Sequence, residues 1–382
     1  MKTGGFLLLI LLINFPLWSQ IIQADTSDLT FKGTHFNSYN QEYDTTGKVE
    51  ISGYIDTYYA YYSDTSGAGG YQKFPTIAPR NNQFGLNMLQ LSAKYHSDRF
   101  RGIATVFFGD TPNSAWSSQF NLIQEAHVGF RLVGKWWIDA GFFRTHIGLE
   151  SIQPRENITS SIATTTYFEP YFLSGAKLTW QKSDKWSFQV NAFNGFNTFV
   201  ESNSNKAFGF STSFAPNSKW SFMYSTIVCD ESADGSAQNQ FRNYNNLIAI
   251  FKTTRFTLGL EANAGFQQHS QLSDSSATAY VFSAVAAAKY RVTDHWAIYG
   301  RGELFSDPDE ILTGPLVNEN HTLTGLDIVG FTAGIEYKPI PNAFFRIEDR
   351  YLLTKSTERI FFTNGSSTNV RNELVVSLGV WF

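Results

Sequence analysis

The chain has 382 residues, 29 Lys and Arg against 33 Asp and Glu, and a formal net charge of −4. Charged residues are 16% and aromatics another 16%, with 35 Phe, 18 Tyr and 9 Trp, whereas a typical soluble domain carries about 25% charge. The weak acidity gives no footing to a nucleic-acid partner, the single cysteine, Cys229, excludes an internal disulfide or thiolate metal cluster, and the balance suits a protein with one face for lipid, one for water and aromatic belts between.

In chain order, the first segment reads as a secretory signal. Lys2 supplies the positive start and Phe6-Leu7-Leu8-Leu9-Ile10-Leu11-Leu12-Ile13 the apolar core, too short to span a bilayer. Cleavage follows Ser19 or Ala24; neither has a small residue two places earlier, so both stay open. Residues 1–19 are assigned to the signal, 20–48 to a short polar periplasmic extension and 49–382 to a barrel. Past residue 20 no apolar run reaches about 18 residues, so any crossing of a membrane must be by strands closed into a barrel.

From Val49 the sequence alternates. Trp186, Phe188, Val190 and Ala192 alternate with Ser187, Gln189 and Asn191. Trp220, Phe222 and Tyr224 do so with Ser221 and Ser225, and the run Phe256–Phe266 is apolar at every second position. Val329, Phe331, Ala333, Ile335 and Tyr337 repeat the pattern. A period of two marks strands with one apolar and one wet face. A polar turn, a cation and an aromatic recur between strands: Ser97-Asp98-Arg99-Phe100, Gly134-Lys135-Trp136, Ser183-Asp184-Lys185-Trp186, Asn217-Ser218-Lys219-Trp220, Thr253-Thr254-Arg255-Phe256 and Thr293-Asp294-His295-Trp296. Pro339–Phe344 is a longer version. The turn residues suit tight β-turns, and the aromatic belongs at headgroup level. The other connections, from 63–82 to 355–369, are long and rich in Ser, Asn, Asp and Gly. The reading is all-β: a transmembrane antiparallel β-barrel of about 16 strands, with short periplasmic turns and long extracellular loops. A barrel of that size leaves an aqueous channel. The final strand ends Leu378-Gly379-Val380-Trp381-Phe382 and resembles the signal read by the barrel-assembly machinery, although Ser377 stands where Gly is common.

The segment from Ala140 to Trp180 resembles the OmpL-like porin family. The resemblance rests on Gly141-Phe142-Phe143-Arg144-Thr145-His146-Ile147-Gly148-Leu149-Glu150, on Asn157, Ser160 and Ser161, on Glu169-Pro170 and on Ser174-Gly175. It implies an outer-membrane channel with no catalytic set and no cofactor.

The expected function is a porin: a water-filled channel for passive diffusion of small hydrophilic solutes and ions. Two alternatives remain at this stage. A substrate-specific or gated transporter would need a plug, for which 25–48 is too short and polar. An outer-membrane lipase would need a nucleophile motif, and none surrounds His146 and Ser151. The seven His show no metal-ligand spacing. Alternation points Arg301, Glu303, Glu336, Arg346, Glu348, Arg350, Arg371 and Glu373 inward as pore-lining candidates, with Glu261 beside them. They either tune ion selectivity or form a solvated, mutually paired lining. Asp349 points outward on the same count, which a bulge or a place above the lipid band would explain. The loop at 149–170 carries Glu150, Arg155, Glu156 and Glu169; it folds either into the lumen as a constriction or outside. Expected partners are outer-membrane lipid, the assembly machinery acting on Phe382, diffusing solutes and further copies in a homotrimer.

Overall fold

The computed structural model describes residues 47–382 except 66, 68, 69, 202, 319 and 320. The expected signal peptide and nearly all of the extension lie outside the described residues. Sixteen strands close into one antiparallel barrel in chain order. They are β1 (Lys48–Tyr62), β2 (Gln83–His96), β3 (Phe100–Phe108), β4 (Ile123–Val133), β5 (Trp136–Arg144), β6 (Phe172–Gln181), β7 (Trp186–Phe193) and β8 (Ala207–Phe214), then β9 (Trp220–Asp230), β10 (Phe241–Lys252), β11 (Phe256–Gln267), β12 (Ala279–Arg291), β13 (Trp296–Asp307), β16 (Leu326–Tyr337), β17 (Ala343–Thr354) and β20 (Val370–Trp381). Two ribbons, β14 (Leu316–Val317) with β15 (Leu323–Thr324) and β18 (Phe361–Thr363) with β19 (Ser366–Thr368), stand within the last two long connections.

The strands follow from the period-two pattern. In β11, Gly259, Glu261 and Asn263 are buried inside while Leu260, Ala262 and Ala264 are exposed outside. The seven turn-and-aromatic repeats all fall at the short turns of one rim. Five share one device: the turn's first side chain accepts a hydrogen bond from the amide of the aromatic three residues on. Phe100 N donates to Ser97 Oγ at 3.1 Å, Trp186 N to Ser183 Oγ at 3.2 Å and Trp220 N to Asn217 Oδ1 at 3.1 Å. Phe256 N and Trp296 N donate to Thr253 Oγ1 and Thr293 Oγ1, both at 3.0 Å. The Ser, Thr or Asn is thus needed where each strand re-enters the sheet.

The seam joins β1 to β20, from Tyr54 opposite Trp381 to Tyr62 opposite Glu373. Beyond it Gly53 N donates to Phe382 O and Phe382 N to Gly53 O, both at 3.1 Å. The Phe382 ring covers Gly53 so closely that a Cβ there would collide with it. Bulges fall at Asp56/Thr57, Thr105/Val106 and Arg131/Val133. No shift interrupts β17 against either neighbour, so a bulge does not explain Asp349. It stays exposed on the outward face, between Ile347 and Tyr351, with Asn372 Nδ2 donating to its two oxygens at 3.2 and 3.1 Å.

The outward positions predict a depth effect. Leu260→Arg, in mid-strand, should cost roughly 2–4 kcal/mol of stability in lipid, and Val292→Arg, at a short turn, about 0–1 kcal/mol. Reversible unfolding in vesicles measures both; equal costs would mean that the apolar band is not where the alternation puts it.

Candidate pore constriction

The longest connection, 145–171, leaves β5, crosses the lumen and returns to β6. All its residues are buried except Arg155, Glu156 and Phe168, which are half-buried. A segment inside a barrel must still satisfy its backbone polar groups, and the wall does so strand by strand. His146 Nε2 donates to Thr226 O of β9 at 3.1 Å and its ring stacks on Phe193. Burial holds its imidazole down to about 4, so it is neutral at ordinary pH. Gly148 N donates to Asn246 Oδ1 of β10 and Leu149 N to Glu261 Oε1 of β11, each at 3.2 Å.

The wall formed by β13, β16, β17 and β20 holds the middle of the loop with charge. Arg301 donates through Nη1 to Glu150 Oε1 at 2.9 Å, and to Thr159 Oγ1 and Ser161 O, both at 2.8 Å. Arg346 donates to the carbonyls of Pro154, Thr159 and Asn157 at 2.9, 3.0 and 3.1 Å. Its Nε meets Glu336, which also takes Lys289. Glu348 accepts from Ser160 N at 2.6 Å and Ser161 N at 2.8 Å. Glu303 accepts from Thr164 N and pairs with Arg350 at 2.8 Å. Arg350 and Arg371 both reach Glu373, at 3.5 and 3.1 Å. The hydroxyls finish the fit, with Ser160 on Ser377 and Thr165 on Ser283, both at 2.8 Å.

Across the lumen the loop meets β1 to β5. Arg155 lies 4.9 Å over the Tyr54 ring. Arg144 forks onto Glu156 and donates to Ser151 Oγ at 2.7 Å. Burial works to raise the Glu156 carboxyl, but Arg144 outweighs it and holds it down to about 2. Glu150 takes Ala163 N as well as Arg301, and Tyr244 OH donates to Glu169 Oε1 at 2.9 Å. The inner faces of β3 to β6 carry a second charged group: Arg101 forked onto Asp139, His127 bonded to Glu125 at 3.0 Å, and Lys177 4.3 Å over Phe143.

The structure thus pairs the wall candidates among themselves, sets Glu348 on loop amides and joins the wall to the loop candidates through Glu150, while Arg155, Glu156 and Glu169 bond to Gln153, Arg144 and Tyr244. The wall pairs are mutual but lie out of solvent, and Arg301, Glu303, Arg346, Glu348 and Arg350 also bond to the loop. At the long-loop rim Asp64 and Glu373 flank Arg371, and Thr354 Oγ1 donates to the Glu358 carbonyl. Sequence reasoning named Asn157, Ser160 and Ser161 only as marks of resemblance, without their bonding role, and passed over Thr159. It also passed over Lys94, Arg101, Asp139 and Lys177, which the alternation of β2, β3, β5 and β6 does point inward. Cys229 is buried in β9 as a free thiol. Among the described residues no group of His, Cys, Asp and Glu is arranged to hold a metal ion.

Removing one partner of a buried charge pair leaves the other uncompensated. Arg301→Met should destabilise the barrel by about 3–5 kcal/mol, and adding Glu150→Gln should return part of that loss. A double-mutant cycle on unfolding in vesicles reads the coupling; additive losses would mean that the two side chains do not pair.

Comparison with known proteins agrees with this architecture. The fold resembles an anion-selective porin from Comamonas acidovorans, with a TM-score of 0.58 at 10% identity, covering 88% of this chain and 100% of that one. It also resembles the outer membrane channel DcaP of Acinetobacter baumannii, with a TM-score of 0.57 at 9% identity, covering 88% and 97%. OmpF of Salmonella typhi gives 0.53 at 12% identity, covering 89% and 99%. No protein of curated function matches the sequence. The family model described as putative beta-barrel porin-2, OmpL-like, matches residues 48–382. The closed sixteen-strand wall and that match over nearly the whole chain place the protein in the OmpL-like porin family.

Proposed function

We propose that the protein sits in the outer membrane and passes small hydrophilic solutes and ions by passive diffusion, through a lumen narrowed by the loop 145–171. The observation that carries this reading is the loop itself, drawn across a closed barrel and bonded to wall residues on β9, β10, β11, β13, β17 and β20. Such a segment sets a passage by steric width and by its local field. Arg301, Arg346, Arg350, Glu303, Glu336 and Glu348 act first as anchors, since their charges are spent on one another and on the loop. Arg371 and Glu373 extend the same paired series toward the long-loop rim. Membership of a porin family favours a channel over an enzyme. The short-turn rim faces the periplasm, the machinery that assembles such barrels reads the end at Phe382, and copies associate through their outward faces as a trimer.

The cation with most freedom to act on passing ions is Lys94 of β2. It points inward, is half-buried, and its ammonium makes no hydrogen bond or ion pair with the other described residues, with Glu125 and Glu156 the carboxylates acting on it. An ammonium there raises local anion concentration and repels cations.

Planar-bilayer recordings test both statements. The purified protein should give stable ohmic channels without any ligand, and shortening the loop within 151–162 should raise the unit conductance. Lys94→Glu should move the reversal potential in a salt gradient toward cations, with a shift that shrinks as salt rises. Arg346→Glu should instead lower the yield of folded barrel, because it strips three loop carbonyls of their donor. A folded protein that never conducts would remove the channel reading; an unmoved reversal potential in a conducting Lys94→Glu variant would move the selectivity to another residue.

A further inference from the structure

At the long-loop rim, beside the C-terminal end of the constriction loop, an open cavity of about 520 Å3 lies between five segments of chain. That is within the size range of small-molecule sites, roughly 300–1,000 Å3. Phe168 of the constriction loop and Phe196 of the β7–β8 connection line it with partly exposed rings. Gln240, Gln267 and Asp309 supply hydrogen-bonding groups from three other segments.

Arg242 builds the wall of the cavity and does not present a vacant charge to it. Its Nε donates to Gln267 Oε1 and its Nη2 to the Ile311 carbonyl, each at 2.6 Å. Its Nη1 lies 3.6 Å from Glu231, and its guanidinium lies 4.8 Å over the Phe196 ring. The cation thereby fixes one aromatic face, one amide and the β13–β16 connection together. Gln267 spends its Nε2 on Ser270 Oγ at 2.7 Å. Asp309 Oδ1 accepts from Leu272 N at 3.1 Å, and its second oxygen remains an acceptor. Among the described residues Gln240 Nε2 meets only the His269 carbonyl, at a long 3.5 Å.

The charge balance decides what kind of solute fits. Asp309 and Glu310 line the cavity and Glu231 stands beside Arg242, so carboxylates outnumber the one guanidinium. An anion would meet a net negative wall whose only cation is already bonded on several sides. What remains are two partly exposed aromatic rings, one flanked by Arg242 and one by Phe305, next to amide and carboxylate groups with hydrogen-bonding capacity. A sugar ring has matching chemistry: C–H faces that pack on aromatic rings and a rim of hydroxyls that donate to carboxylates and exchange hydrogen bonds with carboxamides.

We infer that this cavity is a binding site for a neutral polyhydroxylated solute of mono- to disaccharide size at the channel's outer mouth. The site stands at the rim and shares only Tyr167 and Phe168 with the constriction loop, so binding can be read apart from conduction. Its effect on transport would be to raise the concentration of such solutes next to the constriction.

The test uses the whole protein in lauryldimethylamine oxide, a detergent without a sugar headgroup, with sucrose as the probe and sucrose phosphate as the anionic control. Saturation-transfer NMR and titration calorimetry should show saturable sucrose binding and much weaker binding of the phosphate. Phe196→Ala should weaken sucrose by about tenfold, as expected for loss of one aromatic face. Gln240→Ala, at a half-exposed rim position, should weaken it less while leaving the heat-modifiable gel shift of the folded barrel unchanged. No saturable sucrose binding to the wild type would overturn the proposal. So would equal affinity in both folded variants, or a preference for the phosphate. Channels that conduct normally yet bind no sucrose would sink the site and leave the porin reading intact.

Discussion

Everything in this molecule answers to the need to pair backbone N–H and C=O groups where no water can reach them. A flat sheet placed in hydrocarbon would expose two unpaired edges, each group costing several kcal/mol. Sixteen strands avoid this by bringing β20 back to β1. The pairing continues to the last residue, where Gly53 and Phe382 exchange backbone hydrogen bonds. At the short turns, side chains of Ser, Thr and Asn take over for the strand that has just ended. Closure then sorts the side chains, apolar outward and polar inward, because a strand offers only two faces.

The same constraint shapes the interior. A long loop inside the lumen carries amides and carbonyls of its own, and the wall supplies carboxylates for the amides and guanidiniums for the carbonyls. Desolvated charges are tolerable only when paired and bonded, which is why the anchors come as Arg301 with Glu150, Arg350 with Glu303, and Arg346 with Glu336. Charge in this lumen is a fastening for the loop before it is a field for ions.

The barrel was legible because its information is local. Alternation repeats within ten or so residues, and the turn device spans three, as in Ser183 to Trp186 or Thr293 to Trp296. The inward set on β13, β16, β17 and β20 was legible for the same reason. Its partners were not: Arg301 meets a residue 151 positions away, Glu348 one 188 away and Ser377 one 217 away. No spacing rule reaches that far, so the two courses for the loop could not be separated from sequence. The bulge in β1 after Asp56 leaves no composition signal, and Asp349 looked like one although its strand is regular. The rim cavity was invisible because five separate segments contribute to it.

The Gly53–Phe382 seam has a bearing on how the molecule comes into being. Because β1 pairs with the barrel's last strand, its outer edge stays unpaired in any intermediate that lacks β20. A chain cut before β20 lacks the strand that closes the wall and would carry an exposed, adhesive border. The Phe382 ring, lying across a glycine of the first strand, adds a side-chain contact to the backbone hydrogen bonds that close the circle.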